Sequence, residues 1–360
     1  MSSDLERRLE ALFAEAPEPE PGAEEEALHR ALRALHPVAV SRRGLRTAVL
    51  AFATAVVLLV IAAGSLAAAG ALHVSLGAKP KPVLPAPELT LPKGANGVAA
   101  IVDGRLSVVA RGGFRLQVPA TAAALSPHAL YVAAGIRHSL VAMAPDGRLA
   151  WSHPTGGKVV AIAWAPDGLR IAYVVHVRRR FVLHVIYGNG INDTTIDPSV
   201  RAVTPSWQAD SLALAYVGGG GRVVVYDVGH RRHDVVGSAT PITRVSFAPA
   251  GKALLVATSD SAVLDGRKVA TGDVEAIGWF GGRPTVALAM RSAAARVRSF
   301  GDAGRLLDDF VVPGRVLELT GDLVATQTAD KVLAGWGRQK TVGTLLRVRP
   351  TTSVEDFAIG

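Results

Sequence analysis

The chain has 360 residues, 49% hydrophobic but only 5% aromatic, and it contains no cysteine. That length allows one large domain or two ordinary ones, and the missing cysteine excludes disulfides, thiolate nucleophiles and cysteine-based zinc sites. The net charge of +9 is uneven: residues 1–26 hold nine acidic and two basic side chains, residues 27–46 five arginines and no acid, and residues 73–360 hold 32 basic and 21 acidic side chains. The last excess has two readings, attraction to anionic envelope polymers or lipid headgroups and an arginine-rich coding bias, since 31 of the 39 basic residues are Arg.

Residues 1–46 are predicted to form a cytoplasmic segment with two short amphipathic helices. Ser3-Asp4-Leu5-Glu6 matches a capping box, and Leu5, Leu9, Leu12 and Phe13 follow at helical spacing. A proline-rich break at 16–22 separates these from a second stripe, Leu28, Leu32 and Leu35, which stops at Pro37. Helices this short cannot bury their stripes alone, so residues 1–37 are expected to meet each other, a cytoplasmic protein partner or the membrane surface. A disordered tail is the competing reading.

Thr47 to Leu72 is 26 residues without an ionisable group. As a helix it reaches roughly 39 Å at 1.5 Å per residue, enough to cross the hydrocarbon layer with some tilt. Residues 47–72 are therefore predicted to be a transmembrane helix in contact with lipid. Arg42, Arg43 and Arg46 directly precede it, whereas Lys79 and Lys81 follow at a distance. The positive-inside rule then puts the N-terminus in the cytoplasm and the rest outside. A cleaved signal peptide is the alternative, with small residues at 67–71 for a peptidase, but the preceding segment and the apolar core are long for one. Short helices before a span resemble the layout of single-pass anti-sigma factors. The zinc-binding subset of that group is excluded because its His and Cys cluster is missing. A span before the basic part also argues against nucleic acid as a partner.

Residues 73–96, with Pro80, Pro82, Pro85, Pro87 and Pro92, are predicted to be an extended linker. Beyond it one phrase recurs. Its fullest copy is Ala161-Ile162-Ala163-Trp164-Ala165-Pro166-Asp167-Gly168, followed by Ile171-Ala172-Tyr173. Taking Leu125, Trp164, Trp207, Phe247, Trp279 and Leu319 as equivalent gives spacings of 39, 43, 40, 32 and 40 residues. Periods near 40 with strand chemistry point to a β-propeller: small residues in the inner strand, a large one packing between blades, and Pro-Asp-Gly in the tight turn. This phrase resembles the repeat of TolB-like and WD40-like propellers over about 120–350. The Gly-His and Trp-Asp signatures of true WD40 repeats are missing, which favours the TolB-like group. What the resemblance implies is a non-enzymatic binding platform, often in the bacterial envelope.

Residues 97–360 are thus predicted to be an all-β propeller of seven blades, or six. Gly97–Asp103, Arg105–Ala110 and Phe114–Val118 read as three strands with no inner strand before them, and residues 354–358 match the inner strand at 274–278. Pairing the C-terminal strand with the N-terminal three would close the ring and remove open sheet edges.

No enzyme motif emerges. There is no Gly-x-Ser-x-Gly elbow, no phosphate-binding glycine loop, and no cofactor or metal is expected. Gly218–Gly221 reads as a hairpin turn. His176, His184, His230 and His233 could meet at a metal, but His184 sits in a Val-rich strand where a hydrogen-bonded packing role fits better. An oxygen-ligated calcium site in residues 187–193 is a further alternative. Trp164, Trp207 and Trp279 recur in register and read as packing residues. In a propeller the loops joining second and third strands share one face. These loops hold Arg105, Arg137, Arg178, Arg179, Arg180, Arg222, Arg291, Arg296 and Lys331; Arg137, Arg178, Arg179, Arg180 and Arg222 are the candidate ligand-binding residues. The leading reading is a membrane-tethered, non-enzymatic scaffold for a protein or anionic envelope ligand. The alternatives are an envelope enzyme with its site in the propeller channel, and a secreted soluble propeller. The inner strands read as rich in Ala, Ile, Val and Ser, which argues against the enzyme.

Overall fold

Valine-rich runs separated by Gly, Asp and Arg turns form strands along the whole described chain. The computed structural model describes residues 89–92, 95–111, 114–230, 232–238, 241–301, 303–336, 339–347 and 354–359. The expected cytoplasmic helices and the apolar span at 47–72 lie outside the described residues. Among the described residues no helix is long and apolar enough to cross a membrane.

The strands in chain order are β1 (Gly97–Val102), β2 (Arg105–Ala110) and β3 (Phe114–Pro119); then β4 (Ala123–Leu125), β5 (Val132–Ile136), β6 (Ser139–Met143) and β7 (Leu149–Pro154). Next come β8 (Lys158–Trp164), β9 (Arg170–Val177), β10 (Arg180–Tyr187), β11 (Thr194–Val200), β12 (Ser206–Trp207), β13 (Ala213–Val217), β14 (Arg222–Asp227) and β15 (Arg232–Ser238). They are followed by β16 (Ile242–Phe247), β17 (Leu254–Thr258), β18 (Ser261–Leu264), β19 (Arg267–Thr271), β20 (Val274–Phe280), β21 (Arg283–Met290), β22 (Ala294–Phe300) and β23 (Leu306–Pro313). The last five are β24 (Arg315–Gly321), β25 (Leu323–Gln327), β26 (Lys331–Trp336), β27 (Gln339–Arg347) and β28 (Val354–Ile359).

Four sheets are simple meanders, β4 to β7, β8 to β11, β12 to β15 and β16 to β19. A fifth four-stranded sheet has the order β28-β1-β2-β3, so the C-terminal strand completes the N-terminal unit. β28 runs antiparallel to β1 with Val98 opposite Ile359, Ala100 opposite Phe357 and Val102 opposite Val354. An eight-stranded sheet holds the rest. Within it β20 to β23 and β24 to β27 are each an antiparallel meander, joined by the parallel pairs Trp279 with Thr320 and Phe280 with Gly321. This is an all-β, propeller-like arrangement.

The repeated phrase folds as its residues dictate. The large residue stands at or within two residues of the end of a first strand: Leu125 in β4, Trp164 in β8, Trp207 in β12, Phe247 in β16, Trp279 in β20 and Leu319 in β24. In the strongest copy Gly168 takes the left-handed backbone (φ +75°), and the Asp167 side chain accepts from the Leu169 N–H at 2.8 Å. The next copy makes the same turn with Ser211 in the left-handed position, and Asp210 accepts from the Leu212 N–H. Gly218–Gly221 is the turn between β13 and β14.

Successive four-stranded units pack face to face through apolar clusters. Ile101 and Leu106 meet Ala123 and Val132, Ala161 and Leu183 meet Trp207 and Leu214, and Ala287 and Val297 meet Val316 and Leu319. The last unit packs on the first in the same way, with Val98, Val354 and Phe357 against Leu323, Val332 and Leu345. Leu89, near the end of the expected linker, is buried in that seam, and the Thr90 N–H donates to the Leu345 carbonyl at 2.7 Å.

Candidate binding face and central channel

The first strands of all units, β4, β8, β12, β16, β20, β24 and β28, contribute to the lining of one cavity of about 580 Å³. They therefore surround a central channel. Which end of it is which follows from pairing. Lys158 at the start of β8 is opposite His176, Ile242 opposite Thr258, Arg315 opposite Gln327 and Val354 opposite Val102. The beginnings of the first strands thus lie beside the hairpins that join second to third strands, and both open on one face.

The candidate arginines stand on those hairpins. Arg137 lies in the two-residue turn between β5 and β6, Arg178 and Arg179 form the turn between β9 and β10, Arg180 begins β10 and Arg222 begins β14. All five are exposed, and none makes an ion pair among the described residues. Arg137 and Arg178 hold left-handed backbone, each with φ near +55°. Gly or Asn fills that turn position with less strain. Of the other basic residues expected on this face, Arg296 is engaged with Asp309 at 3.2 Å.

The channel corrects one expectation. Its first strands do not carry only small and apolar residues: Arg244, Glu275, Arg315, Glu318, Glu355 and Asp356 all line it. Burial raises the carboxyls of Glu275 and Asp356 above the usual range, against the pull of backbone N–H donors and Arg neighbours. Glu318 is pushed up to about 7 by burial, with Asp356 adding to the shift and Arg244 opposing it. Its side chain keeps some surface toward the channel, but protein surrounds it, so it is poorly hydrated. These residues are spread over more than a hundred positions and no local motif joins them. Only ring closure brings them together, which is why the sequence phrases did not reveal them.

Between the β8–β11 and β12–β15 units a second cavity of about 830 Å³ is lined by Leu169, Tyr187, Asn189, Asp193 and Tyr226, among others. It includes the 187–193 hairpin, the alternative calcium site, where the side-chain oxygens of Asn189 and Asp193 already meet protein donors. The Asn189 side chain accepts from the Ile191 N–H at 3.3 Å. Asp193 accepts from the Tyr173 hydroxyl at 2.8 Å, and its other oxygen lies 3.1 Å from His184 Nδ1 and 3.4 Å from His153 Nε2. Burial acts to raise the Asp193 carboxyl, but these contacts outweigh it and leave it below its usual value. Burial and Asp193 push the Tyr173 hydroxyl far up.

The four histidines do not meet. His176 stacks on Phe181 with ring centroids 4.7 Å apart, His184 faces Asp193, His230 pairs with Asp227, and His233 Nδ1 lies 2.8 Å from the Tyr216 hydroxyl. No group of three potential ligands suited to a metal occurs among the described residues. The tryptophans serve packing: Trp207 Nε1 donates to the Ala163 carbonyl and Trp279 Nε1 to Ser246 Oγ, each on the neighbouring unit, while Trp164 Nε1 closes its own turn on the Gly168 carbonyl.

No protein-family model matches the chain, and no curated protein does. Solved structures are similar in fold. A chain of a mitotic checkpoint complex gives a TM-score of 0.53 at 14% identity, covering 68% of this chain and 86% of that one. A chain from a study of two prolyl endopeptidases gives 0.50 at 12% identity, covering 74% of this chain and 50% of that one. TolB from Acinetobacter baumannii gives 0.45 at 13% identity, covering 61% and 64%. At these identities the likeness is one of fold, the β-propeller, and the chain spans half of the endopeptidase chain it matches.

Proposed function

We propose that the chain is a single-pass membrane-anchored protein whose residues 97–360 form a seven-bladed β-propeller outside the cytoplasm, acting as a non-enzymatic scaffold. The eight-stranded sheet counts as two blades, since only two parallel residue pairs join its halves. Residues 47–72 anchor it in lipid, and the helical stripes within 1–37 engage a cytoplasmic partner. The ligand is an anionic protein or envelope polymer bound on the arginine face. One observation carries this reading: Arg137, Arg178, Arg179, Arg180 and Arg222 are exposed on one face without ion pairs among the described residues. Unpaired guanidinium groups on a rigid ring suit carboxylate and phosphate recognition.

Replacing these five arginines with Gln tests the proposal on immobilised polyphosphate. The wild type should be retained at low salt and released as screening grows, and the variant should elute at markedly lower salt. Equal elution of both proteins would leave the arginine excess as coding bias alone.

The convergence of charges in the channel favours a second reading, an envelope enzyme with its site there. It ranks second because, among the described residues, no histidine lines the channel and three of its hydroxyls are engaged structurally. Ser206 Oγ accepts from the Phe247 N–H, Ser246 Oγ from Trp279, and Thr243 donates to the Ala257 carbonyl.

A further inference from the structure

The channel is electrically two-sided. Four consecutive first strands, β16, β20, β24 and β28, supply all of its charged side chains, whereas β4 and β8 contribute Ala123, Ala124, Leu125 and Ile162. Three of the six charged groups already serve the fold. Glu275 accepts from the Val316 N–H at 2.9 Å. Asp356 accepts from the N–H groups of Ala123 and Phe357. Arg315 donates to the Gln327 side chain and the Val354 carbonyl.

Three groups are not so used: Glu355, which is exposed, and the channel-facing pair Arg244 and Glu318. The Arg244 guanidinium and the Glu318 carboxyl have no hydrogen bond, and no ion pair within 4.0 Å, among the described residues. Yet each senses the other, and Arg244 also senses Glu275, Arg315 and Asp356 on three different strands. Arg244 and Glu318 both line the channel, and no ion pair within 4.0 Å joins them.

We propose that the channel binds a zwitterion of the amino-acid or short-peptide class, with the ligand carboxylate on Arg244 and its ammonium group on Glu318. A guanidinium with free donors matches a carboxylate in two parallel hydrogen bonds, and a carboxylate with free lone pairs matches an ammonium group. A simple anion would face Glu275, Glu318, Glu355 and Asp356, and a simple cation would face Arg244 and Arg315. A molecule carrying both charges, in this order, meets neither repulsion. The cavity, at about 580 Å³, is within the range that holds small ligands. The ligand's ammonium group also favours the ionised form of Glu318, so binding weakens as pH falls through about 7; Arg244 and Asp356 face the same carboxyl and set that value together with burial.

The test is calorimetric titration of the full chain at pH 8 with triglycine, N-acetyl-triglycine and triglycine amide, which present both charges, the carboxylate alone and the ammonium alone. Triglycine should bind, and each half-charged relative should bind about tenfold more weakly or worse, the scale on which a lost charge-assisted contact acts. In Arg244→Gln the preference for triglycine over its amide should vanish. In Glu318→Gln the preference over the acetylated form should vanish. Absence of triglycine binding overturns the proposal, as does equal binding of the three peptides by the wild type, which needs no variant to fold. If only one cap matters, the channel takes a simple ion and the proposal fails as well.

Discussion

Deleting residues 354–360 removes the strand that completes the sheet of β1, β2 and β3. Val354 and Phe357 in β28 are 4% and 8% exposed and pack against Leu323, Val332 and Leu345 in the seam between the last unit and the first. Burying two such side chains contributes about 3–6 kcal/mol. The ladder to β1 and the Asp356 hydrogen bond to the Ala123 N–H add to this. A loss of about 5 kcal/mol is comparable to the whole stability of many domains. At roughly 2–4 °C per kcal/mol for a domain of this size, Tm should fall by about 10 °C or more. Thermal unfolding of the full and truncated chains, followed by circular dichroism and light scattering, measures the effect. Phe357→Ala, a smaller lesion, should cost about 3–5 kcal/mol. If the truncated chain melts within about 2 °C of the full one without aggregating, on that same scale, β28 does not hold the ring closed.

Two further outcomes follow from the channel and the blade interfaces. Glu318 has its folded pKa raised from 4.5 to about 7, so the stability it contributes is full at low pH and lost as pH rises through that value. Glu275 and Asp356 are shifted in the same direction. Glu318→Gln should therefore be more stable than the wild type by about 3 kcal/mol at pH 8 and only about 1 kcal/mol at pH 5; urea unfolding at the two pH values checks this, and a variant no more stable at pH 8 contradicts it. Trp207→Ala removes a side chain that is 6% exposed and bonded to the Ala163 carbonyl of the neighbouring unit, and should lower stability by about 3–5 kcal/mol. A loss below about 1 kcal/mol in urea titration would mean that Trp207 does not couple the two units.

Much of the fold was legible because it depends on short-range patterns. The turn at Asp167 and Gly168 needs a side-chain acceptor and a left-handed residue, and both are adjacent in the chain. The 40-residue spacing from Trp164 to Trp207 and Phe247 reports the same position in successive sheets. β1, β2 and β3 could be placed from Val-rich alternation, and the pairing of β28 from its likeness to β20. The arginine hairpins were legible for the same reason, since a two-residue turn between two predicted strands fixes where Arg178 and Arg179 stand. The channel was not legible. Arg244, Glu275, Glu318 and Asp356 each look like an ordinary polar residue near the start of a strand, and their meeting depends on how the ring closes. The network of Tyr173, His184, Asp193 and His153 was equally hidden, because His153 comes from the preceding sheet. The docking of Leu89 in the closing seam was masked by its proline-rich surroundings, which read as extended linker.

The arginine face is proposed to lie outside the cytoplasm and to be occupied by an anionic partner. Because the chain has no cysteine, single cysteines can report both properties at once. Arg179→Cys labels the arginine face, and Lys252→Cys, exposed in the turn between β16 and β17, labels the opposite one. Each variant is treated with a membrane-impermeant maleimide, once as purified protein and once in cells stripped of outer layers but with the plasma membrane intact. Both positions should label from outside, and Arg179→Cys should label distinctly more slowly in cells than when purified, whereas Lys252→Cys should not change. Labelling of either cysteine only after the plasma membrane is broken would contradict the topology, and an unchanged rate at position 179 would contradict an occupied arginine face.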